Sequence, residues 1–471
     1  MIETTDAATD AAAPVAISAR AGTPNGATTM RATTPKRRST WRALMRCAVF
    51  TAAAATLAAQ AQADEVKIGA IVPLTGVLAP LGVDMRNGYQ QAIKDAPTVK
   101  GMPGKLLVED EQANAAVGLS KAQKLVLQDH VKLLVGGASS ATVLAIEAQG
   151  PRLGVPMLTT NSQAVQTTGG QCSRLMFRTN PNDAMMANGN RLLIKSHPEL
   201  LQKKWLIVFH DFVWGQSNKA QFEAIPGLHV VGSAGRSLGT ADWSSAISQI
   251  QSSGADAIYL ALAVGDDMPS FIRQARSFGL HQFTLLPLGM PDSMLQALGD
   301  DGVGLITGGL FASWTTADSN PAMARFVKDY AASYGMVPGP QAIQAYAGMR
   351  LALAAMNDAE SRDTNGIVDA LDHAAIDTVI GRLAVRTGDH QGMVGTYEAE
   401  AVKLPQPQYG AQYAWKVNKV LTWDELKIPL DQTGCKGLWW SDANGHCRPL
   451  AESAHPTKPV VRCQRALSPV G

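Results

Sequence analysis

Two short runs of hydroxyl and amide side chains carry what chemistry this chain has: Ala138-Ser139-Ser140-Ala141-Thr142 and Thr159-Thr160-Asn161-Ser162-Gln163. Neutral donors of this kind recognise anions and carbonyls without reacting with them. A serine becomes a nucleophile only with a base in hydrogen-bond reach and a site for the oxyanion. Nothing at fixed spacing from Ser139 supplies that base. Asp389-His390 follows a Thr-Gly turn and reads as a structural pair, and His210-Asp211 reads as a strand end. The chain shows no G-x-S-x-G, H-E-x-x-H, P-loop or G-x-G-x-x-G pattern. Recognition of a small ligand is therefore the first reading. An exported α/β hydrolase using Ser139 is the second.

Both runs sit where an α/β sheet would present them. Leu133 to Val135 is a short apolar strand, broken by Gly136-Gly137. Thr142 to Gln149 has helical spacing, and Gly154 closes it. Val155 to Leu158 is the next strand, and the second run is the loop at its end. In an open parallel sheet, ligands bind in the crevice beyond the carboxyl ends of the strands. Ser139 and Ser140 are also natural helix N-caps, and helix starts favour anions. Capping and ligand binding both remain open for them.

The surrounding chain repeats one rhythm. Strands at Val66–Val72 and Lys105–Glu109 alternate with helices at Arg86–Ala96 and Ala115–Asp129. The rhythm restarts at Asp183, with strands at Trp205–His210, Ala257–Ala263 and Thr284–Pro287. Helices between them cover Ser217–Ala224, Asp242–Ser252 and Pro269–Gly279. Alternation of this kind predicts parallel sheets covered by helices on both faces. Helices follow at Pro321–Tyr334, Gln341–Ala359 and Ile367–His373. A strand is expected at Tyr413–Val417, and an irregular tail after Leu426.

The N-terminus belongs to a different class. A basic run, KRRSTWRALMR, precedes the apolar CAVFTAAAATLAA and then Ala61-Gln62-Ala63. This order is that of a secretory signal, cleaved near Ala63-Asp64. The apolar run is too short to span a bilayer. Met30 and Met45 each begin a shorter version of the same signal. Removing residues 1–63 takes the formal charge from +2 to −2. Neither value points to nucleic acid or to an anionic membrane surface. The remaining chain is long enough for two lobes with their own cores. It keeps Cys172, Cys435, Cys447 and Cys463. In an exported chain an even number suggests two disulfides, for which three pairings exist. Position along the chain favours Cys172–Cys435 and Cys447–Cys463. Zinc is less well served, because no C-x-x-C and no nearby histidine pair is present.

The order of segments carries a resemblance. KIGAIVPLTG, LLVGGASSAT, GVPMLTTNSQA, LMFRTNPND, DFVWGQS, GTADWSSAISQIQSSGADAIYLA, FIRQARSFGL and DTVIGRL follow one another over roughly residues 66–420. This chain resembles the periplasmic solute-binding proteins of branched-chain amino-acid ABC importers. The resemblance implies an α/β fold of two doubly wound lobes with parallel central sheets, joined by a three-crossing hinge (the type I periplasmic-binding fold). It places lobe one at 64–180 and 312–386, lobe two at 181–311 and 387–427, and a cysteine-containing tail at 428–471. It also implies a periplasmic monomer that hands its ligand to an inner-membrane permease, with no cofactor and no metal. Presentation of the ligand to a membrane receptor is a further alternative.

The same resemblance assigns site residues. Ser139 matches the serine that holds the ligand carboxylate, with Ser140 beside it. Asn161 falls where a backbone carbonyl is used, and Gln163 where the family has threonine. Trp214 stands in place of the aromatic that closes over the ligand. One position departs. Amino-acid binders place a glutamate after the strand near residue 285 to take the ligand ammonium, and here Leu288 stands there. Asp266 or Asp292 is the available substitute. Without one, a buried ammonium lacks its counter-charge at a cost of several kcal/mol. The expected ligand is then a small carboxylate without an ammonium, or an amide.

Overall fold

The computed structural model describes residues 64–263, 265–441, 446–449 and 461–462, with side chains described as far as Leu438. The expected signal at 1–63 and the expected Cys447–Cys463 pair lie outside the described residues and side chains.

Sixteen of the described strands build three sheets. The first sheet contains β1 (Val66–Val72), β2 (Thr98–Val99), β3 (Met102–Asp110), β4 (Leu133–Gly136), β5 (Met157–Thr159) and β6 (Met176–Arg178). The second contains β7 (Lys204–His210), β8 (His229–Arg236), β9 (Ala257–Ala261) and β10 (Thr284–Pro287). Then come β11 (Ile306–Leu310), β12 (Ala375–Thr378), β13 (Gly381–Arg386), β14 (Gln391–Gly392), β15 (Thr396–Gln408) and β16 (Ala411–Leu421). The first sheet runs β12-β13-β14-β6-β5-β4-β1-β3-β2, the second β10-β9-β7-β8, and the third β11-β15-β16. Strands β3, β1, β4, β5 and β6 are parallel to one another, as are all four of the second sheet. The expected doubly wound parallel architecture is present. The third sheet is antiparallel.

Apolar residues on both faces of these strands explain the layering. Ile68, Ala70, Leu133, Val135 and Leu158 are buried in one cluster. Ile71, Leu134, Val143 and Met157 are buried in another, on the helix Ala115–Leu127 side. Strands buried on both faces read as continuous apolar runs, and that is how they were legible. On the first sheet, helix Ala79–Asp95 packs against helix Pro340–Asp358. Gly88 permits this approach, since a Cβ there would lie 2.3 Å from the Ala342 carbonyl oxygen.

Four expectations shift. Helix Ala79–Asp95 starts earlier than Arg86, with Pro80 in its first turn, where proline is well tolerated. The helix expected at Ser217 starts at Val213 and so takes Trp214 into its first turn. The chain does not leave the first sheet at residue 387, because Gln391 still pairs with Arg178. The tail, expected to be irregular, carries short antiparallel strands at Trp439–Ser441, His446–Pro449 and Val461–Arg462.

The expected Cys172–Cys435 disulfide is present, with a Cα–Cα distance of 5.6 Å and a sequence separation of 263. It pins the tail beside the loop that follows β5. Closing so long a loop constrains the unfolded chain, and removing such a bond typically costs about 2–5 kcal/mol. Cys172→Ala/Cys435→Ala should therefore lower Tm by about 3–6 °C in a calorimetric scan. An unchanged Tm would mean that the tail contributes nothing to the fold.

Candidate functional site

A cavity lies where the carboxyl ends of the first sheet face those of the second. It encloses about 590 Å³, counted with its opening to solvent. Ala138, Asn161 and Gln163 line it after β4 and β5. Trp214, Ala263 and Leu288 line it after β7, β9 and β10. Met186, Met268, Met290 and Met294 fill much of the remaining wall.

Two glycines shape the first-sheet side. Gly136 and Gly137 have φ of 107° and 69°. A Cβ on Gly136 would sit 2.2 Å from the Ile71 carbonyl oxygen, and the Gly137 amide donates to that same oxygen at 2.7 Å. The turn delivers Ala138 and Ser139 to the start of helix Ser140–Ala148. Their amides donate to one oxygen of Glu111, at 2.8 and 3.3 Å. Glu111 is fully buried, and burial pushes its carboxyl up to about 7 against the pull of these amides. Ser139 is the N-cap residue, but its side chain makes no capping bond. Ser140 Oγ faces inward and accepts from Ser162 Oγ and from the Ala164 amide. Ser140 is thus a strut between the two polar runs. The Ser139 hydroxyl has no partner among the described residues.

Arg178 holds the second run. Its buried guanidinium donates to the carbonyls of Ser162 and Ala164, which flank Gln163. It also donates to Thr168 Oγ1 and Gln391 Oε1. Burial lowers its pKa to about 10, with Asp183, Asp389 and Glu147 opposing. Asn161 Nδ2 donates to the Ala138 carbonyl at 3.3 Å, tying the runs together from the cavity side.

On the second-sheet side, Gly215 lets helix Val213–Glu223 come down onto β7. A Cβ there would lie 1.8 Å from the His210 carbonyl oxygen. Trp214 consequently reaches across the cavity, and its Nε1 donates to Gln163 Oε1 at 2.7 Å. His210 is buried behind this wall. Its Nδ1 accepts from the Ala263 amide at 2.8 Å, so Nε2 is the donor to Asp267 Oδ2 at 2.9 Å. Burial lowers the His210 pKa, with Asp267 opposing.

Of the residues expected at the site, Asn161, Gln163, Trp214 and Leu288 line the cavity. Ser139 follows the lining residue Ala138 but is itself 4% exposed. Ser140 supports the site from behind. Asp266 is the correction: it is exposed at a helix start and absent from the wall, while its neighbour Asp267 points inward to His210. Asp292 lies in an adjoining cavity. No Asp, Glu, Lys, Arg or His is among the described residues of the first wall. Arg178 and Glu111 were missed from sequence. The only trace of either was Arg178 within LMFRTNPND, where arginine ends an otherwise apolar strand.

Burial also raises Asp183 to about 7 and Asp84 to about 6. With Glu111, these acids bind protons more tightly folded than unfolded. Their contribution is fully present below about pH 4 and is lost as pH rises through 6–7. His210, held low, acts in the opposite sense below 6.5. The three carboxyls outnumber it. Apo Tm should fall by several degrees from about pH 5 to pH 7.5 in scanning calorimetry. A Tm that rises over that range would contradict the burial of these groups.

The profile of the periplasmic binding protein family matches residues 65–403. The chain is 29% identical over 365 residues to a Leu/Ile/Val-binding protein homolog 8 of Brucella abortus, covering 74% of this chain and 89% of that one. The crystal structure of a periplasmic binding protein from Burkholderia mallei superposes with a TM-score of 0.72 at 24% identity, covering 79% and 99% of the two chains. A Rhodopseudomonas palustris ABC-transporter solute-binding protein, in complex with 3,4-dihydroxybenzoic acid, gives a TM-score of 0.70 at 20% identity, covering 78% and 99%. The family and these neighbours are solute-binding proteins and not enzymes, and the hydrolase reading of Ser139 falls with them. A family profile spanning most of the chain, on a fold of two facing parallel sheets, establishes that this chain belongs to the periplasmic binding protein family.

Proposed function

We propose that this protein is the periplasmic substrate-binding component of an ABC importer. It captures a small apolar carboxylate without an α-ammonium between two lobes and delivers it to an inner-membrane permease. One lobe is the first sheet with its helices, and the other comprises the second and third sheets. The observation that carries the ligand class is the wall itself. Apolar side chains and neutral donors line it, Leu288 among them, at about the position where the resemblance puts the ammonium-binding acid. Helix Ser140–Ala148 starts just behind the lining residue Ala138, and its first amides, with the Ser139 hydroxyl, would serve as the donors to a carboxylate. Trp214 covers the apolar body. The Rhodopseudomonas palustris relative in complex with an aromatic acid supports the same class.

A thermal-shift screen tests this, because a ligand that binds only the native state raises Tm. Aromatic and branched short-chain carboxylates should raise it, and their methyl esters should not. A shift given only by α-amino acids would overturn the ligand class. Ser139→Ala should weaken binding by about 1.5–3 kcal/mol, the range for a hydrogen bond to a charged group. Its apo Tm should stay within about 2 °C of the parent, since no folded-state bond is lost. Uptake of the bound ligand by permease-containing vesicles separates transport from presentation to a receptor.

A further inference from the structure

We propose that the ligand cavity continues into a second subsite, built from Asp84, Asp292 and Gln341, that takes an ammonium carried at the far end of the ligand. This deepens the carboxylate reading above and rests on it. A second cavity, enclosing about 1130 Å³ with its opening, shares Leu81, Pro291 and Gln341 with the first. Gln341 is 3% exposed, lines both, and its side chain has no partner among the described residues. A buried amide in that state is a ligand contact waiting to be made.

Two acidic residues, Asp84 and Asp292, line the second cavity. Asp84 comes from helix Ala79–Asp95. Its Oδ1 accepts from the Tyr330 hydroxyl at 2.9 Å and its Oδ2 from the Ala342 amide at 3.2 Å. Asp292 starts helix Asp292–Leu298 and is 1% exposed. Its Oδ1 accepts from Trp314 Nε1 at 2.9 Å, the main-chain amides of Trp415 and Asp292 lie near the carboxyl, and its Oδ2 has no partner in hydrogen-bond geometry. Burial holds both carboxyls high, at about 6 and about 7, and the Asp84 charge raises Asp292 further. No Lys, Arg or His is among the described residues lining this cavity. One buried and one half-buried acid without a counter-charge favour a bound cation. A metal is poorly served, since no group of three His, Cys, Asp or Glu converges among the described residues. An ammonium, with three donors, matches Asp292 Oδ2 and Gln341. An α-amino acid does not fit, because its ammonium and carboxylate share one carbon. The ligand class is therefore a carboxylic acid with an amine at the opposite end.

Titration calorimetry at pH 8 on the full exported chain tests the subsite with matched probes. These are 4-(aminomethyl)benzoate against 4-methylbenzoate, and 6-aminohexanoate against hexanoate. The amine-bearing acid of at least one pair should bind tenfold or more tighter than its partner. Asp292→Asn keeps an acceptor for Trp314 and should bring the two within about twofold. Ser293→Phe, at the exposed rim of the second cavity, should do the same without touching either acid. It decides the matter if Asp292→Asn fails to fold. Equal binding within both pairs, or an advantage that survives these variants, would overturn the subsite. If no acid binds, the carboxylate reading fails and benzylamine decides the subsite separately. Binding of benzylamine that Asp292→Asn abolishes upholds it, and no binding overturns it.

Discussion

Replacing Arg178 by methionine should cost about 3–5 kcal/mol of stability, the range for removing one partner from a buried charged network. The guanidinium donates to four acceptors in a space that excludes water. Methionine fills much of the volume but donates to none of the four, which keep only their neutral partners: Asn180 Nδ2 on the Ser162 carbonyl, the Thr167 amide on that of Ala164, and Thr168 Oγ1 and Asn182 Nδ2 on Gln391 Oε1. The expected drop in Tm is about 5 °C. Ligand affinity should fall as well, because Ser162 and Ala164 fix the position of Gln163 between them. Arg178→Lys keeps the charge but not the planar fork, and should recover part of the stability and less of the affinity. Chemical denaturation and calorimetry on both variants check this. A methionine variant that matches the parent in both would remove Arg178 from the account of the site.

Trp214→Ala should abolish most binding while leaving the fold nearly intact. The side chain is only partly buried, and it spans the cavity rather than filling a core. Aromatic anchors of this kind lose about 2–4 kcal/mol on truncation, or roughly 30- to 1,000-fold in Kd. Trp214→Phe separates the two contributions, since it keeps an apolar cover and loses only the bond to Gln163. That variant should lose about 1 kcal/mol, the net worth of one hydrogen bond. If alanine and phenylalanine lose affinity equally, the hydrogen bond matters and the apolar cover does not.

The two rounds of β-α alternation were legible because their strands are buried on both faces, as in the run WLIVFH of β7. Gly136-Gly137 and the loop at Thr159–Gln163 were legible as strand ends for the same reason. Trp214 was found through the order of segments, and the structure explains its reach by the close approach that Gly215 permits. The failures have physical causes too. Asp266 and Asp267 are adjacent, and which of them turns inward depends on His210, some fifty residues away in the chain. Arg178 looked like the polar end of a strand, and its role depends on Gln391, which returns to the same sheet from a distant segment. Glu111 acts through main-chain amides, which carry no sequence signal. The choice between Ser139 and Ser140 required Ser162 and the Ala164 amide to be placed against Ser140.

The central claim is that the cleft selects a carboxylate and offers nothing to an α-ammonium. Leucine and 4-methylpentanoate share a carbon skeleton and differ by that ammonium alone. Titration calorimetry of the two against the ligand-free protein tests the claim directly. The expected result is that 4-methylpentanoate binds and that leucine binds at least tenfold more weakly, since its ammonium would be buried beside Leu288 without a counter-charge. Tighter binding of leucine than of 4-methylpentanoate would contradict it.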